Sequence, residues 1–497
     1  MARSLCNSSN NNWNNGVFCM NQSKQFKIAT VLIGTLLLVV VGVLSFFIVH
    51  NAQWLIGDDA IIINRTGCDI PFTIWDTIKP EIGRFFPLAY MHENVVLLLP
   101  GDMHNASQHY IINLFLFVIL SIAIVKTIWH VIKPQNTVDL FILFFSVLLC
   151  ATRVYSIYLN VFSTLYNYYT LTSIFLLGIV LYYEKKKVVY AFLAILICIY
   201  MVFCLECVFL IPLTLGITTL LFAHKHLSKN QIIFNIGLIS IAIIFLIIYF
   251  FGIYWGTDSN SFYDPSHGTN VTFFENAVAI LKGQKFLLFA ALVWIARQII
   301  LICKKDQYHV LYDSLLWTSG AILLGGLILK LDWQMYYYVA ILYALPSVVY
   351  LGYKYFGKMP TLIVIILFAG LHALKVPNAI KLNQSNRVNT VQVIEYLSKQ
   401  IDNGKEIVWY ETVANDSTSF DLILRNWQKD CMRTYLQFYL KDNAWDYVEY
   451  SQDKAVILLY PILNDTFANR SIELPNQPVG MINDILIYQI STTLIKE

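Results

Sequence analysis

Asp58 and Asp59 stand side by side in Gly57-Asp58-Asp59-Ala60, shortly after an apolar run that closes near residue 49. Neighbouring carboxylates repel, so one is pushed toward protonation. One member of such a pair serves as a general base, while the other tunes it, orients it or binds a cation. A solvated helix end carries the same dipeptide, so the pair alone does not decide. The same segment continues with Glu81-Ile82-Gly83-Arg84-Phe85-Phe86-Pro87-Leu88 and then Met91-His92-Glu93-Asn94. An arginine set among aromatics offers a bidentate fork to phosphate, or it snorkels at a bilayer interface. His92 and Glu93 either orient the aspartates or face water, and the second reading is the plainer one.

Four more ionisable residues stand out because they interrupt or end apolar runs: Arg153, Glu206, Lys330 and Asp332. Charges near lipid are costly and tend to pair or to face a cavity. Arg153 and Lys330 are candidate phosphate binders, with Glu206 and Asp332 to neutralise them. Interfacial anchoring is the alternative for each alone, and what favours a site is that topology assigns all four to one membrane face.

The elements that must position these residues follow from composition. Of 497 residues, 57% are hydrophobic and 13% are charged, against about 25% charged in a soluble domain. That excludes a water-soluble globule and a disordered chain. A net charge of +3 is too mild to imply a nucleic-acid partner. The nine cysteines are scattered and make no disulfide framework; Cys204-Leu205-Glu206-Cys207 has no second pair to complete a metal site.

A membrane-crossing helix needs about 20 apolar residues, and about eleven runs qualify as candidates. They cover 26–49, 109–132, 138–151, 168–183, 188–201, 207–223, 232–254, 286–302, 310–329, 334–353 and 361–374. The apolar stretch 188–223 divides into a hairpin at Glu206. Lys24 and Lys27, Lys126 and Lys133, Lys185 to Lys187, Lys225 and Lys229, Lys304 and Lys305, and Lys354 and Lys358 all fall on one side if the N-terminus is cytoplasmic, as the positive-inside rule asks. An odd number of spans puts the C-terminus outside.

Three regions are expected: a disordered cytoplasmic segment 1–25, a transmembrane domain 26–376, and an extracytoplasmic α/β domain 377–497. The first outer loop, 51–108, is long and holds Pro71, Pro80, Pro87 and Pro100; short amphipathic helices lying at the interface are expected there. In the tail, the pattern predicts helices near 388–401 and within 420–441, and strands near 406–410, 455–460 and 484–490.

A first outer loop with Asp58-Asp59, an interfacial stretch and then Gly83-Arg84-Phe85-Phe86-Pro87 resembles the GT-C superfamily of membrane glycosyltransferases. Within it, the pattern is most similar to bacterial and phage-type O-antigen glucosyltransferases. Lys330 followed by the tyrosines 336–338 and Ala344-Leu345-Pro346 is similar to a basic-aromatic-proline pattern of bacterial members, although Lys stands here where Arg is common. The resemblance implies a sugar donor on polyprenyl phosphate, a glycan or lipid-linked acceptor, and a first-loop acid that deprotonates the acceptor hydroxyl. It places Asp58 and Asp59 as catalytic and Lys330 at the donor phosphate, and the reading of the residues themselves adds Arg84 and Arg153 at that phosphate with His92, Glu93, Glu206 and Asp332 in support. The expected setting is the outer face of a bacterial inner membrane, in modification of cell-envelope polysaccharide. A divalent cation suits the aspartate pair, though no ligand spacing demands one. The alternatives are a transporter or flippase of lipid-linked sugars, and an O-antigen ligase or polymerase.

Overall fold

The computed structural model describes residues 12–50, 52–54, 59–80, 83–102, 105–159, 164–256, 273–304, 306–328, 337–384, 406–409, 456–461, 480–482 and 485–490. Its long helices are α1 (Asn12–Val49), α3 (Ala106–Ile132), α4 (Thr137–Tyr158), α5 (Thr164–Lys185), α6 (Val188–Val202), α7 (Leu210–Ala223), α8 (Lys229–Gly252), α9 (Phe273–Gly283), α10 (Lys285–Cys303), α11 (Tyr312–Ile328), α12 (Tyr338–Tyr355) and α13 (Lys358–Ala373), with a short α2 (Asp59–Ile63) between the first two. The described part of each apolar run read from the sequence lies wholly or mostly on one of these helices. Among the described residues, seven helices are long and apolar enough to cross a membrane by length and composition, and Val188–Val202 and Tyr312–Ile328 are shorter apolar helices. The chain is an α-helical protein of membrane type.

Local signals start the helices where they do. Asn105 accepts from the Ser107 amide at 2.9 Å and caps α3. Asn136 and Asp139 form a reciprocal capping box at the start of α4, and Ser228 with Gln231 does the same for α8. Gly216 lets α7 and α8 approach closely, since a Cβ there would meet the Asn235 carbonyl oxygen at 2.9 Å.

Helix α1 begins at Asn12, inside the Asn-rich segment expected to be disordered. Once an apolar helix exists, each added residue gains a backbone hydrogen bond without a new nucleation cost, so the helix extends into polar sequence.

Burial sorts the helices into layers. In α4, 78% of the most apolar window is buried, against 22% in α1, α10 and α13. Helix α12 is buried along almost its whole length, from Val339 to Leu351. Thus α4 and α12 form the centre, while outer helices expose Leu, Ile and Phe side chains as lipid-facing helices do.

The described part of the first loop forms the short α2, short 3-10 helices and a hairpin of β1 (Ile78–Lys79) and β2 (Arg84–Phe85) that was not anticipated. Its prolines cannot sit in a helix interior, and Gly83 takes φ 73° in the turn before β2. The loop folds onto the helix ends: the Leu88 amide donates to the Phe203 carbonyl at 3.1 Å, and the Tyr249 hydroxyl donates to the Gly83 carbonyl at 3.1 Å. Phe72, Phe85, Phe86 and Tyr90 join the main hydrophobic core.

In the tail, β3 (Glu406–Trp409), β4 (Val456–Pro461), β5 (Gly480–Ile482) and β6 (Ile485–Ile490) form one mixed sheet in the order β3-β4-β6-β5. β3 and β4 pair in parallel, while β6 runs antiparallel to both β4 and β5. β5 was not anticipated. The helices expected within 388–401 and 420–441 lie outside the described residues.

Candidate functional site

The first-loop end of the bundle gathers most of the residues singled out by sequence. Asp59 opens α2 and is 3% exposed. Asp58, Lys330 and Asp332 lie outside the described residues. Arg84, at the start of β2, places Nε 3.5 Å from Glu206 Oε1, and its guanidinium lies 4.4 Å from the centre of the Phe86 ring. The same Glu206 oxygen accepts the Phe85 amide at 3.1 Å. Glu206 therefore docks the first loop onto the turn between α6 and α7. Its carboxylate pairs with Arg84 and, among the described residues, not with Arg153.

Glu93 is fully buried, and neither faces water nor stands alone. His109 Nδ1, from the first turn of α3, lies 3.2 Å from one carboxylate oxygen and His92 Nε2 lies 3.2 Å from the other. Burial alone raises the Glu93 carboxyl, but the hydrogen bonds from His109 and His92 and their charge outweigh it and hold it at about 2. The Trp54 ring packs 4.8 Å from His109, tying the segment after α1 to the same clamp. The sequence offered no sign of His109, which lies 16 residues from Glu93 on a helix that reads as a plain apolar span.

Arg153, near the end of α4, is 8% exposed. Its Nε donates to Gln284 Oε1 at 3.1 Å, and its guanidinium stacks 4.1 Å from the centre of the Tyr338 ring. Nη2 is buried without a hydrogen-bond partner. Gln284, the residue before α10, is itself fully buried. His372 on α13 is 4% exposed, and both ring nitrogens lack a partner. It lies within electrostatic reach of Arg153 and Lys375, and Lys285 also acts on Lys375. Among the described residues no carboxylate pairs with Arg153, Lys285 or Lys375. Sequence reading found Arg153 but missed Gln284, Lys285, His372 and Lys375. The spacing of His372 and Lys375, three residues apart at the end of the last apolar run, is the signal that was there to use.

The opposite end of the bundle is chemically different. Arg297 on α10 donates through Nε and Nη2 to the two oxygens of Asp313, at 2.8 and 2.7 Å, and through Nη1 to Asp306 at 2.6 Å. Lys354 donates to Asp306 at 2.6 Å, and Tyr355 also donates to it. Hydrogen bonds from Lys354 and Tyr355, aided by Arg297, hold the Asp306 carboxyl far below the usual range against the opposing effect of burial. Lys358 lies 2.8 Å from the buried Asp139, which also accepts from Tyr353. These links tie α10 to α11 and α12, and α4 to α12 and α13.

Among the described residues no group of three His, Cys, Asp or Glu side chains is placed to hold a metal ion. The first-loop end thus combines a buried acid, a cation held by a carboxylate, and a second buried cation that has none among the described residues. Such an arrangement can seat an anion and orient a hydroxyl beside it. No protein-family model matches the chain, and no curated protein matches it.

Proposed function

We propose that the protein is a polytopic glycosyltransferase of GT-C type with eleven spans, an N-terminus inside and an α/β tail outside, acting at the outer face of a bacterial inner membrane. The first-loop end is then the outer end. The observation that carries the reading is the buried Arg153 guanidinium, with no carboxylate partner among the described residues, at the same end as Asp59 and Arg84. Leaving a cation unneutralised in a low-dielectric setting is costly unless an anion arrives.

In this reading the Asp58 carboxylate takes the proton of the acceptor hydroxyl as its oxygen attacks the anomeric carbon of the donor sugar. The bond from that carbon to the phosphate oxygen breaks, and its electron pair leaves with the polyprenyl phosphate. Asp59 orients or tunes Asp58. Arg84, Arg153 and Lys330 stabilise the charge that collects on the leaving phosphate. Phosphate is already a competent leaving group, so electrostatic stabilisation and positioning supply most of the acceleration.

The test is transfer by the full chain reconstituted with polyprenyl-phosphate sugars and candidate glycan acceptors. Asp58→Asn keeps size but cannot accept the proton, and should reduce transfer by roughly 10²–10⁴-fold with protein level unchanged. Transfer by this variant at the wild-type rate removes Asp58 from the mechanism. A wild-type protein that moves lipid-linked sugars between leaflets without cleaving them is a flippase, and the transferase reading falls.

A further inference from the structure

A guanidinium can be neutralised by an acid, spread over an aromatic face, or left for a ligand. Arg153 uses the aromatic face and one nitrogen within the protein: Tyr338 covers one side and Gln284 fixes Nε. Both contacts orient the group without cancelling its charge. They leave the terminal nitrogens, Nη2 among them unpartnered, as the edge that recognises oxyanions in fork geometry. The residue as a whole is 8% exposed and Nη2 itself is buried.

The surroundings add positive charge. His372 is buried with both nitrogens unpartnered. Lys375 follows it by three residues, exposed at the end of α13, and Lys285 is exposed at the start of α10. Asn383 donates to the Leu159 carbonyl at 3.1 Å, which fixes the chain after α13 against the end of α4. Helices α4, α10, α12 and α13 thus converge on one corner that contains three permanent cations and a histidine, where the described residues supply no balancing acid. That surplus suits a dianion better than a carboxylate. Apolar Leu371 and Leu374 are exposed beside Lys375, 37% and 76% respectively, which suits a headgroup whose tail lies in the bilayer.

We infer that the corner formed by Arg153, Gln284, Lys285, His372 and Lys375 is a seat for a phosphate monoester or diester carried by a lipid. This deepens the transferase reading, from which it takes only the identity of the natural ligand; binding is measurable without sugar transfer. It also ranks the cations. Arg84 already has Glu206 beside it, so Arg153 is the principal phosphate ligand and Arg84 chiefly docks the loop.

The experiment uses the full chain in phosphatidylcholine nanodiscs, with phosphatidic acid doped into the bilayer in one arm and inorganic phosphate added in the other. Phosphatidic acid should raise the melting temperature and bind. Arg153→Met should weaken that binding roughly 10- to 100-fold, the size of a lost charge-assisted hydrogen bond. Lys375→Gln should weaken it roughly two- to fivefold, as an exposed charge does. Without anion, Arg153→Met should melt no lower than wild type, because it removes an uncompensated charge. Inorganic phosphate that binds wild type but not Arg153→Met assigns the seat to soluble phosphoanions as well. Equal binding of both probes by wild type and Arg153→Met overturns the seat. So does an Arg153→Met protein that is destabilised with no anion present, because Arg153 would then be structural. Arg153-dependent binding in a protein that transfers no sugar supports the seat and removes the transferase.

Discussion

Arg297 and Arg153 are both buried near the ends of the helical bundle, 1% and 8% exposed. Arg297 meets Asp313 on two nitrogens and Asp306 on a third, whereas Arg153 meets one amide and one aromatic ring. Both arginines are desolvated, but among the described residues only Arg297 is repaid by carboxylates. The same contrast extends to their surroundings. Asp139, Tyr353 and Lys358 complete one another at the Arg297 end, while His372 has no hydrogen-bond partner among the described residues at the Arg153 end. The first arrangement locks helices together. The second stores an electrostatic deficit that a ligand can relieve, and stability is commonly sacrificed in this way at functional sites.

Substitutions ranked by expected effect on stability sharpen the comparison. Arg297→Met strands the buried Asp313 carboxylate, and should cost about 3–5 kcal/mol, as breaking a buried pair does. Thermal unfolding of the purified protein measures it, and a near-neutral result would erase the distinction between the two ends.

Glu93→Gln comes next. It removes the charge held between His92 and His109 and should cost about 1–3 kcal/mol at neutral pH. The folded carboxyl titrates at about 2, below the ordinary value of ~4.3 for an unfolded chain. Its contribution is therefore fully present above that ordinary value and disappears as the pH falls through the interval toward about 2. The stability gap between wild type and Glu93→Gln should narrow over this range, and a gap that widens on acidification would contradict the clamp.

A smaller effect is expected at Arg84 and Glu206, which are 18% and 21% exposed and 3.5 Å apart. A double-mutant cycle with Arg84→Ala and Glu206→Gln should give a coupling of up to about 1 kcal/mol. Zero coupling would detach Glu206 from the docking of the first loop. The smallest effect belongs to Arg153→Met, which in the absence of anion should leave stability unchanged or slightly higher. Its ordering against Arg297→Met is the most direct measure of how differently the two ends handle charge.

Much of the scaffold is legible in the sequence because it depends on local quantities. Apolar runs such as 109–132 and 232–254 lie wholly or almost wholly on single helices. The strands β3, β4 and β6 appear close to where alternating and β-branched segments predict them. Pro71, Pro80 and Pro87 argue against a continuous helix in the first loop, which forms short helical segments and an unanticipated hairpin packed on the helix ends. In the candidate site, Arg84, Arg153 and Glu206 were visible as charges interrupting apolar surroundings.

Which charges meet was a matter for the tertiary structure. Gln284 lies 131 residues from Arg153, and Glu206 lies 121 residues from Phe85. Their meeting depends on how α4, α10 and the first loop pack and rotate. Hydrophobic periodicity fixes that a helix forms and how much of it is apolar, because those energies are summed over adjacent residues. It carries no information about the partner across a helix interface, whose identity is set by side-chain shape and by the few arrangements that leave buried polar groups satisfied. The sequence by itself therefore determined a helical chain of membrane type with charged residues at the ends of its apolar runs. Only packing decided that Glu206 would hold Arg84, that His109 would close on Glu93, and that Arg153 would be buried with no carboxylate beside it among the described residues.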